Sequence, residues 1–220
     1  MPRDADLVQI VDAALAEAVR VSGAWIACKP GCTACCIGPF PITQLDAMRL
    51  REGLGDLEHS DPQRAARVRQ RARESAERMK ADFPGDLATG VLEEDTSAEE
   101  RFAALAEEEP CPALDPEAGT CDLYFSRPII CRTFGPAVSW GSGVLGICEL
   151  CYQGASDEEI AACNVDIDPG GLEDKLLDEL EAGTGLKGQT TVALALVTPT
   201  PATEAPTTPD RATPRAHSRS

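Results

Sequence analysis

Histidine is nearly missing from this sequence: His59 and His217 are the only two in 220 residues. His59 lies in a charged stretch and His217 in a Pro/Thr-rich tail, so both read as ordinary surface residues. That scarcity excludes an imidazole-based metal site and a Ser/His/Asp catalytic set. No phosphate-binding loop or paired-carboxylate motif takes their place, and the acidic runs Glu93–Asp95 and Glu107–Glu109 read as solvated surface. Aromatic residues make up only 4%, so the core must come mainly from Ala, Leu, Val and Ile, which leaves room for a bound metal to add stability. No apolar run approaches the roughly 18 residues of a membrane-spanning helix; the longest is Val192–Val197. The start, Met1-Pro2-Arg3-Asp4-Ala5-Asp6, lacks a basic region followed by an apolar one, so no targeting segment is expected. Positive charge is also short. A formal net charge of −17 argues against nucleic acid and anionic membrane as partners. The expected compartment is the cytoplasm, where thiols stay reduced.

Against these absences stand ten cysteines. In a reducing compartment such a count points to metal ligation or redox chemistry, not to disulfides. They fall into groups: Cys28-x3-Cys32-x2-Cys35-Cys36, then Cys111, Cys121 and Cys131 at intervals of ten, then Cys148-x2-Cys151, with Cys163 beyond. A Cys-x2-Cys pair places two sulfurs on one turn and is the usual half of a tetrahedral site. Soft thiolates select zinc, Cu(I) or iron–sulfur clusters over hard cations. An all-thiolate site suits structural zinc and iron–sulfur clusters alike. Ten thiols suffice for two four-sulfur sites with two to spare, or for one site with several other thiols. Cys35 and Cys36 are adjacent, and successive side chains diverge, so they are not expected to share one ion. Four thiolates leave a net charge of −2 on either kind of centre, and Arg127 and Arg132, flanking Cys131, are candidate donors to sulfur, with Lys29 beside Cys28. The spacing Cys28-x3-Cys32-x2-Cys35 also matches radical S-adenosylmethionine enzymes, but Ala34 stands where they carry an aromatic, and no α/β barrel pattern is present.

Helical patterning dominates the rest. Residues 4–21 carry Leu7, Ile10, Val11, Ala14 and Ala18 at helical spacing. Thr43 opens a second helix, and Ser60 or Asp61 with Pro62 a third, running to about Phe83. The third is rich in arginine, which reads as a solvated face. A short helix is expected at 97–108, capped by Thr96 or Ser97. Ser156-Asp157-Glu158-Glu159 is a capping box, and Leu172, Leu176, Leu177 and Leu180 mark another helix. Periodicity leaves 190–197 open between strand and helix. There is no alternation of strands and helices, which argues against a nucleotide-binding sheet. The expected fold is mainly α: a small irregular helical domain over 1–198, with two cysteine-rich loops organised around a metal site, and a disordered tail over 199–220.

The first cluster, followed by Cys111-Pro112-Ala113-Leu114-Asp115, Cys121-Asp122-Leu123-Tyr124 and Arg127-Pro128-x2-Cys131-Arg132-x-Phe134, resembles the CxxCxxCC cysteine-cluster family of YkgJ-type zinc- or iron-chelating domains, over roughly residues 24–152. The family's first spacing is usually two residues; here Cys28 and Cys32 are three apart. The resemblance implies ligation of zinc or iron by Cys32, Cys35, Cys36, Cys111, Cys121 and Cys131, completed by Cys28 and by Cys148 or Cys151. It implies a shielding role for Tyr124 and Phe134, and it names no substrate residue. The leading functional expectation is thiolate binding of zinc or an iron–sulfur cluster for metal handling or electron transfer. The alternatives are a structural zinc module that mediates protein interaction and a cluster-dependent redox or methyl-transfer enzyme.

Overall fold

In the computed structural model, which describes residues 2–105, 107–141, 143–144 and 146–198, the N-terminal amphipathic segment is helix α1 (Pro2–Ser22). Its Leu7, Val11 and Ala18 are fully buried, as the helical period requires. Helix α2 (Gln44–Ser60) begins where Thr43 Oγ1 accepts a hydrogen bond from the Asp46 amide at 3.2 Å. Helix α3 (Pro62–Met79) begins where Asp61 accepts from the Arg64 amide at 3.0 Å, with Pro62 at the first position, where no amide partner is needed. Its buried stripe is narrow: Ala65, Val68, Ala72, Ser75 and Met79.

Helix α4 (Thr96–Ala103) is capped by Asp95, not by Thr96 or Ser97, and stops short of residue 108. Continuing it would set Glu107, Glu108 and Glu109 against the negative end of the helix dipole. Helix α5 (Ile129–Thr133), one turn long, was not anticipated. Helix α6 (Asp157–Ala162) has the expected capping box, with both reciprocal bonds formed. Helix α7 (Leu172–Thr184) buries Leu176 and Leu180. The open segment resolves as helix α8 (Val192–Val197), capped by Thr191. The expected tail at 199–220 lies outside the described residues.

The helices build two main cores. Leu50, Leu54, Val68, Ala72, Ala195 and Leu196 join α2, α3 and α8. Leu7, Val11, Leu45, Ile129, Val138, Ile167 and Leu176 join α1 and α7 to the chain around α5. The strands are clips of two or three residues. Strand β1 (Ile42–Thr43) pairs with β9 (Gln189–Thr190), β2 (Gly85–Asp86) with β3 (Val91–Leu92), and β4 (Leu114–Asp115) with β5 (Thr120–Cys121), all antiparallel. A small sheet is ordered β7 (Gly143–Val144), β6 (Val138–Trp140), β8 (Val165–Asp166), with β6 and β8 parallel. The fold is mainly α, as expected.

A charged network sits where α1, α2 and α7 meet. Arg49 donates to Asp46 at 2.6 Å and to Asp4 through two nitrogens. Asp46 also accepts from the Ile129 amide at 2.9 Å, tying α2 to the start of α5. Asp168 accepts from the Leu172 and Glu173 amides at 3.0 and 2.9 Å and so caps α7. Glu173 is buried nearby, and burial, reinforced by the Asp46 carboxylate, pushes its carboxyl up to about 8. The unfolded chain releases this proton near the usual 4.5, and the folded chain keeps it to about 8. Folding therefore holds an extra proton in that window, and stability falls as pH rises through it. Glu173→Gln is expected to flatten this dependence and to stabilise the protein at pH 8 by about 2 kcal/mol, measured by urea unfolding across that pH range.

Candidate metal centre

The cysteine-bearing chain between α4 and α5 is shaped by its own turn and by side chains from α3. Asp115 Oδ1 accepts from the Glu117 and Ala118 amides at 2.9 and 3.1 Å, which closes the β4–β5 hairpin and sets Leu114 opposite Cys121. The Asp122 side chain is fully buried and takes two guanidinium groups, Arg64 and Arg71, the latter at 2.5 Å. Arg71 also donates to the Pro112 carbonyl at 2.9 Å, so one side chain fixes the residues beside both Cys111 and Cys121. Arg78 forms a two-nitrogen pair with Glu109, which leads into Pro110 and Cys111. These arginines lie at intervals of seven, along one stripe of α3. The basic face read as solvated is in these three positions a clamp. The spacing was the available signal; the acceptors were not visible.

The first cysteine cluster lies on an irregular segment with a single 3₁₀ turn (Ala34–Cys36). The Cys36 carbonyl accepts from the Cys111 amide at 2.7 Å, and Ile37 bridges Pro110. Gly38, in the left-handed region, donates to the Glu109 carbonyl at 2.8 Å. Cys35 and Cys36 are therefore held against Cys111 and Cys121. Cys131, on α5, lines the same cavity as Cys111, Cys121 and Cys35. Cys35 and Cys36 were expected to diverge, yet both belong to this neighbourhood, close enough for one thiol to hydrogen-bond the other.

Cys28 turns elsewhere. Its neighbours are the sulfurs of Cys151, Cys148 and Cys32. The Trp25 carbonyl accepts from the Tyr152 amide at 2.9 Å, and the Cys148 carbonyl from the Cys151 amide at 2.8 Å. Gly135 bridges Ile147, and a Cβ on Gly135 would lie 2.8 Å from the Cys28 sulfur, so only glycine admits that approach. Cys148 and Cys151 are buried with Tyr152, packed against Trp25, Ile26 and Phe134. Cys163 is buried in the same cluster as Cys148 and Cys151, and its thiol donates to the Val21 carbonyl at 3.8 Å.

Cys28, Cys32, Cys35, Cys36, Cys111, Cys121 and Cys131 all line one cavity of about 560 Å³. Its other walls include Phe40 and Phe134, whose rings lie 5.5 Å apart, and Tyr124, a half-exposed residue covered by the Arg127 guanidinium at 3.8 Å. Hydrogen bonding from Cys36 outweighs burial and, with the charge of Arg127, brings the Cys35 thiol down to about 6. The same bond, added to burial, pushes Cys36 up. Burial raises Cys111 to about 12 and Cys28 to about 12, and also raises Cys121 and Cys131. Arg127, expected to act on sulfur, donates to the Tyr124 carbonyl at 3.0 Å and lies over the Tyr124 ring, and from there its charge acts to lower Cys35 and Cys121. Arg132, expected to do the same, directs its nitrogens to oxygen: both carboxylate oxygens of Asp12 at 2.9 and 3.0 Å, the Arg127 carbonyl at 3.1 Å, and the Phe125 carbonyl.

All ten cysteines are free thiols. Among the described residues, no group of three or more His, Cys, Asp or Glu side chains is already set to hold a metal ion. The donor chemistry nevertheless fits one: soft sulfurs gathered from distant parts of the chain, an arginine facing them, and a cavity at their side. The family model CxxCxxCC, described as "Putative zinc- or iron-chelating domain", matches residues 27–162. The chain belongs to this family. No curated protein and no solved structure matches significantly. The CxxCxxCC match takes in every cysteine except Cys163.

Asp122→Ala is expected to cost about 3 kcal/mol, because it leaves Arg64 and Arg71 without their shared buried partner. Arg78→Ala, which breaks a pair whose guanidinium is half-exposed, should cost under about 1 kcal/mol. Urea denaturation of the two variants compares them directly.

Proposed function

We propose that this CxxCxxCC domain binds zinc or an iron–sulfur cluster through cysteine thiolates beside the open cavity, and that it serves in metal handling or electron transfer. Cys35, Cys36, Cys111, Cys121 and Cys131 would hold the metal, with Arg127 offsetting part of the thiolate charge. The observation that carries this reading is the convergence of cysteines from separate segments on one cavity wall. A module whose metal only ties loops together has no use for such an opening, since a structural site is closed by its ligands. Acid–base chemistry finds little support in the lining: its Glu109 is paired with Arg78, which holds the carboxyl below its ordinary value. When bound, the metal would supply a soft electrophilic or redox-active centre. The chain's own part is to gather the sulfurs, supply positive charge from Arg127 and limit water through Phe40, Phe134 and Tyr124.

Metal analysis with a visible spectrum, on protein purified without oxygen, tests the proposal. Iron with sulfide and a broad band near roughly 400 nm, typical of thiolate-bound clusters, supports electron transfer. Stoichiometric zinc in colourless protein supports thiolate metal binding and moves weight from electron transfer to a structural zinc module. Protein with neither metal overturns the proposal. Cys111→Ser is expected to lower metal content and Tm together, because a site absent from the unfolded chain contributes its binding energy to folding; unchanged metal content and Tm would count against Cys111 as a ligand.

A further inference from the structure

The cavity extends well past its thiols. It reaches from α1, which supplies Leu15 and Val19, to α3 and α8, which supply Met79 and Ala193. Helix α1 belongs to one core, and Met79 and Ala193 to another, so the space spans the gap between them. Leu15, Val19, Ala193 and the lining Phe40 carry no donor atom for a metal. The volume of about 560 Å³ lies within the range of small-molecule pockets, roughly 300–1,000 Å³, whose walls are mainly apolar with a few polar groups that fix orientation.

The charge of the lining runs against that of the chain. In a protein of net charge −17 it holds Lys29, Arg127 and Arg132 but one carboxylate, Glu109. Glu109 is paired with Arg78, and Arg132 with Asp12. Among the described residues, no carboxylate pairs with Lys29 or Arg127. Arg127 is held in place, its Nε donating to the Tyr124 carbonyl at 3.0 Å and its guanidinium lying 3.8 Å from the centre of the Tyr124 ring. That leaves its two terminal nitrogens without an acceptor among the described residues.

We propose that this cavity binds a small organic carboxylate with an apolar body, the body lying along the apolar walls from α1 to α3 and α8 and the carboxylate meeting Arg127, with Lys29 adding charge. The inference rests on the reading above only in placing this ligand beside a thiolate-held metal. A guanidinium is a planar fork that matches the two oxygens of a carboxylate, which favours that end group over a neutral one. Burial of the apolar body supplies affinity, and the cations supply selectivity.

The full chain as purified, with metal content measured on the same sample, is titrated calorimetrically with octanoate and with octan-1-ol. One equivalent of octanoate is expected to bind, and octan-1-ol about tenfold more weakly, since a charge-assisted bond is lost. Arg127→Gln is expected to weaken octanoate about tenfold and to leave octan-1-ol unchanged. Val19→Asp, at an exposed position on α1, is expected to weaken both ligands, because it replaces apolar wall with charge. If Arg127→Gln loses its helical circular dichroism, Lys29→Gln, also at an exposed position, takes its place, and octanoate alone is expected to weaken. No saturable octanoate binding by the wild type, equal affinity for the two ligands, or octanoate affinity unchanged by loss of the cation overturns the carboxylate site, and metal binding is then judged by the metal content alone. Protein without metal that still binds octanoate with this selectivity overturns the metal reading and leaves the carboxylate site standing.

Discussion

The cysteine loops depend on a buried carboxylate that no loop residue could satisfy alone. Asp122 is shut away from solvent and takes both Arg64 and Arg71 from α3. Removing a carboxylate from water is costly unless charge and hydrogen bonds replace the lost hydration. Here the replacement comes from a helix whose position is fixed independently, by packing Val68 and Ala72 against α2 and α8. The segment from Cys111 to Cys121 has only a two-residue strand pair of its own. Its path is therefore set from outside, by charge pairs rooted in a helical core. Asp46 repeats the device one layer away, receiving Arg49 from its own helix and the Ile129 amide from the turn that carries Cys131.

Arginine suits these junctions better than lysine would. Its planar fork can donate to two acceptors at once, and it keeps its charge when desolvated. Arg71 bonds both the Asp122 carboxylate and the Pro112 carbonyl, and Arg132 reaches one carboxylate and two backbone carbonyls. In a chain of net charge −17, cations placed this way are scarce. Arg71 on α3 and Arg132 on α5 hold backbone carbonyls, and Arg127, lying over Tyr124, brings its charge near Cys35 and Cys121. Burial, with the neighbouring thiols adding to it, raises the proton affinity of Cys111 and Cys131. Binding a soft cation relieves that crowding, which links metal affinity to release of protons.

What was legible in the sequence was local. Thr43, Asp61 with Pro62, and the Ser156–Glu159 box announce helix starts because a cap and its amide lie within three residues of each other. The cysteine spacings and the family motifs were legible for the same reason. What escaped was of two kinds. Elements as short as α5 and the two-residue strands carry too few residues for a period to register. Long-range partners were hidden as well: Asp122 lies 58 residues from Arg64 and 51 from Arg71, so α3 alone shows only an arginine-rich face. The fates of Arg127 and Arg132 differ for a related reason. Both flank Cys131 in sequence, but Asp12, on α1, claims Arg132 from a distance that spacing cannot express.

The grouping of thiols follows the same logic. Adjacent side chains diverge on an extended chain, which is why Cys35 and Cys36 seemed unsuited to one neighbourhood. A 3₁₀ turn changes the outcome, since its three residues per turn fan side chains around a tight axis. The partner loop then closes on that turn from the side, through the bond from the Cys111 amide to the Cys36 carbonyl. Cys28, before the turn, is reached instead by the chain after α5, with Gly135 giving way to its sulfur, while Gly119 of the β4–β5 hairpin packs on Gly31 and Thr33, either side of Cys32. Two loops thus approach one short segment, and the Ala34–Cys36 turn sets which of its thiols meets which loop, while Cys28, Cys32, Cys35 and Cys36 all stay on the wall of one cavity.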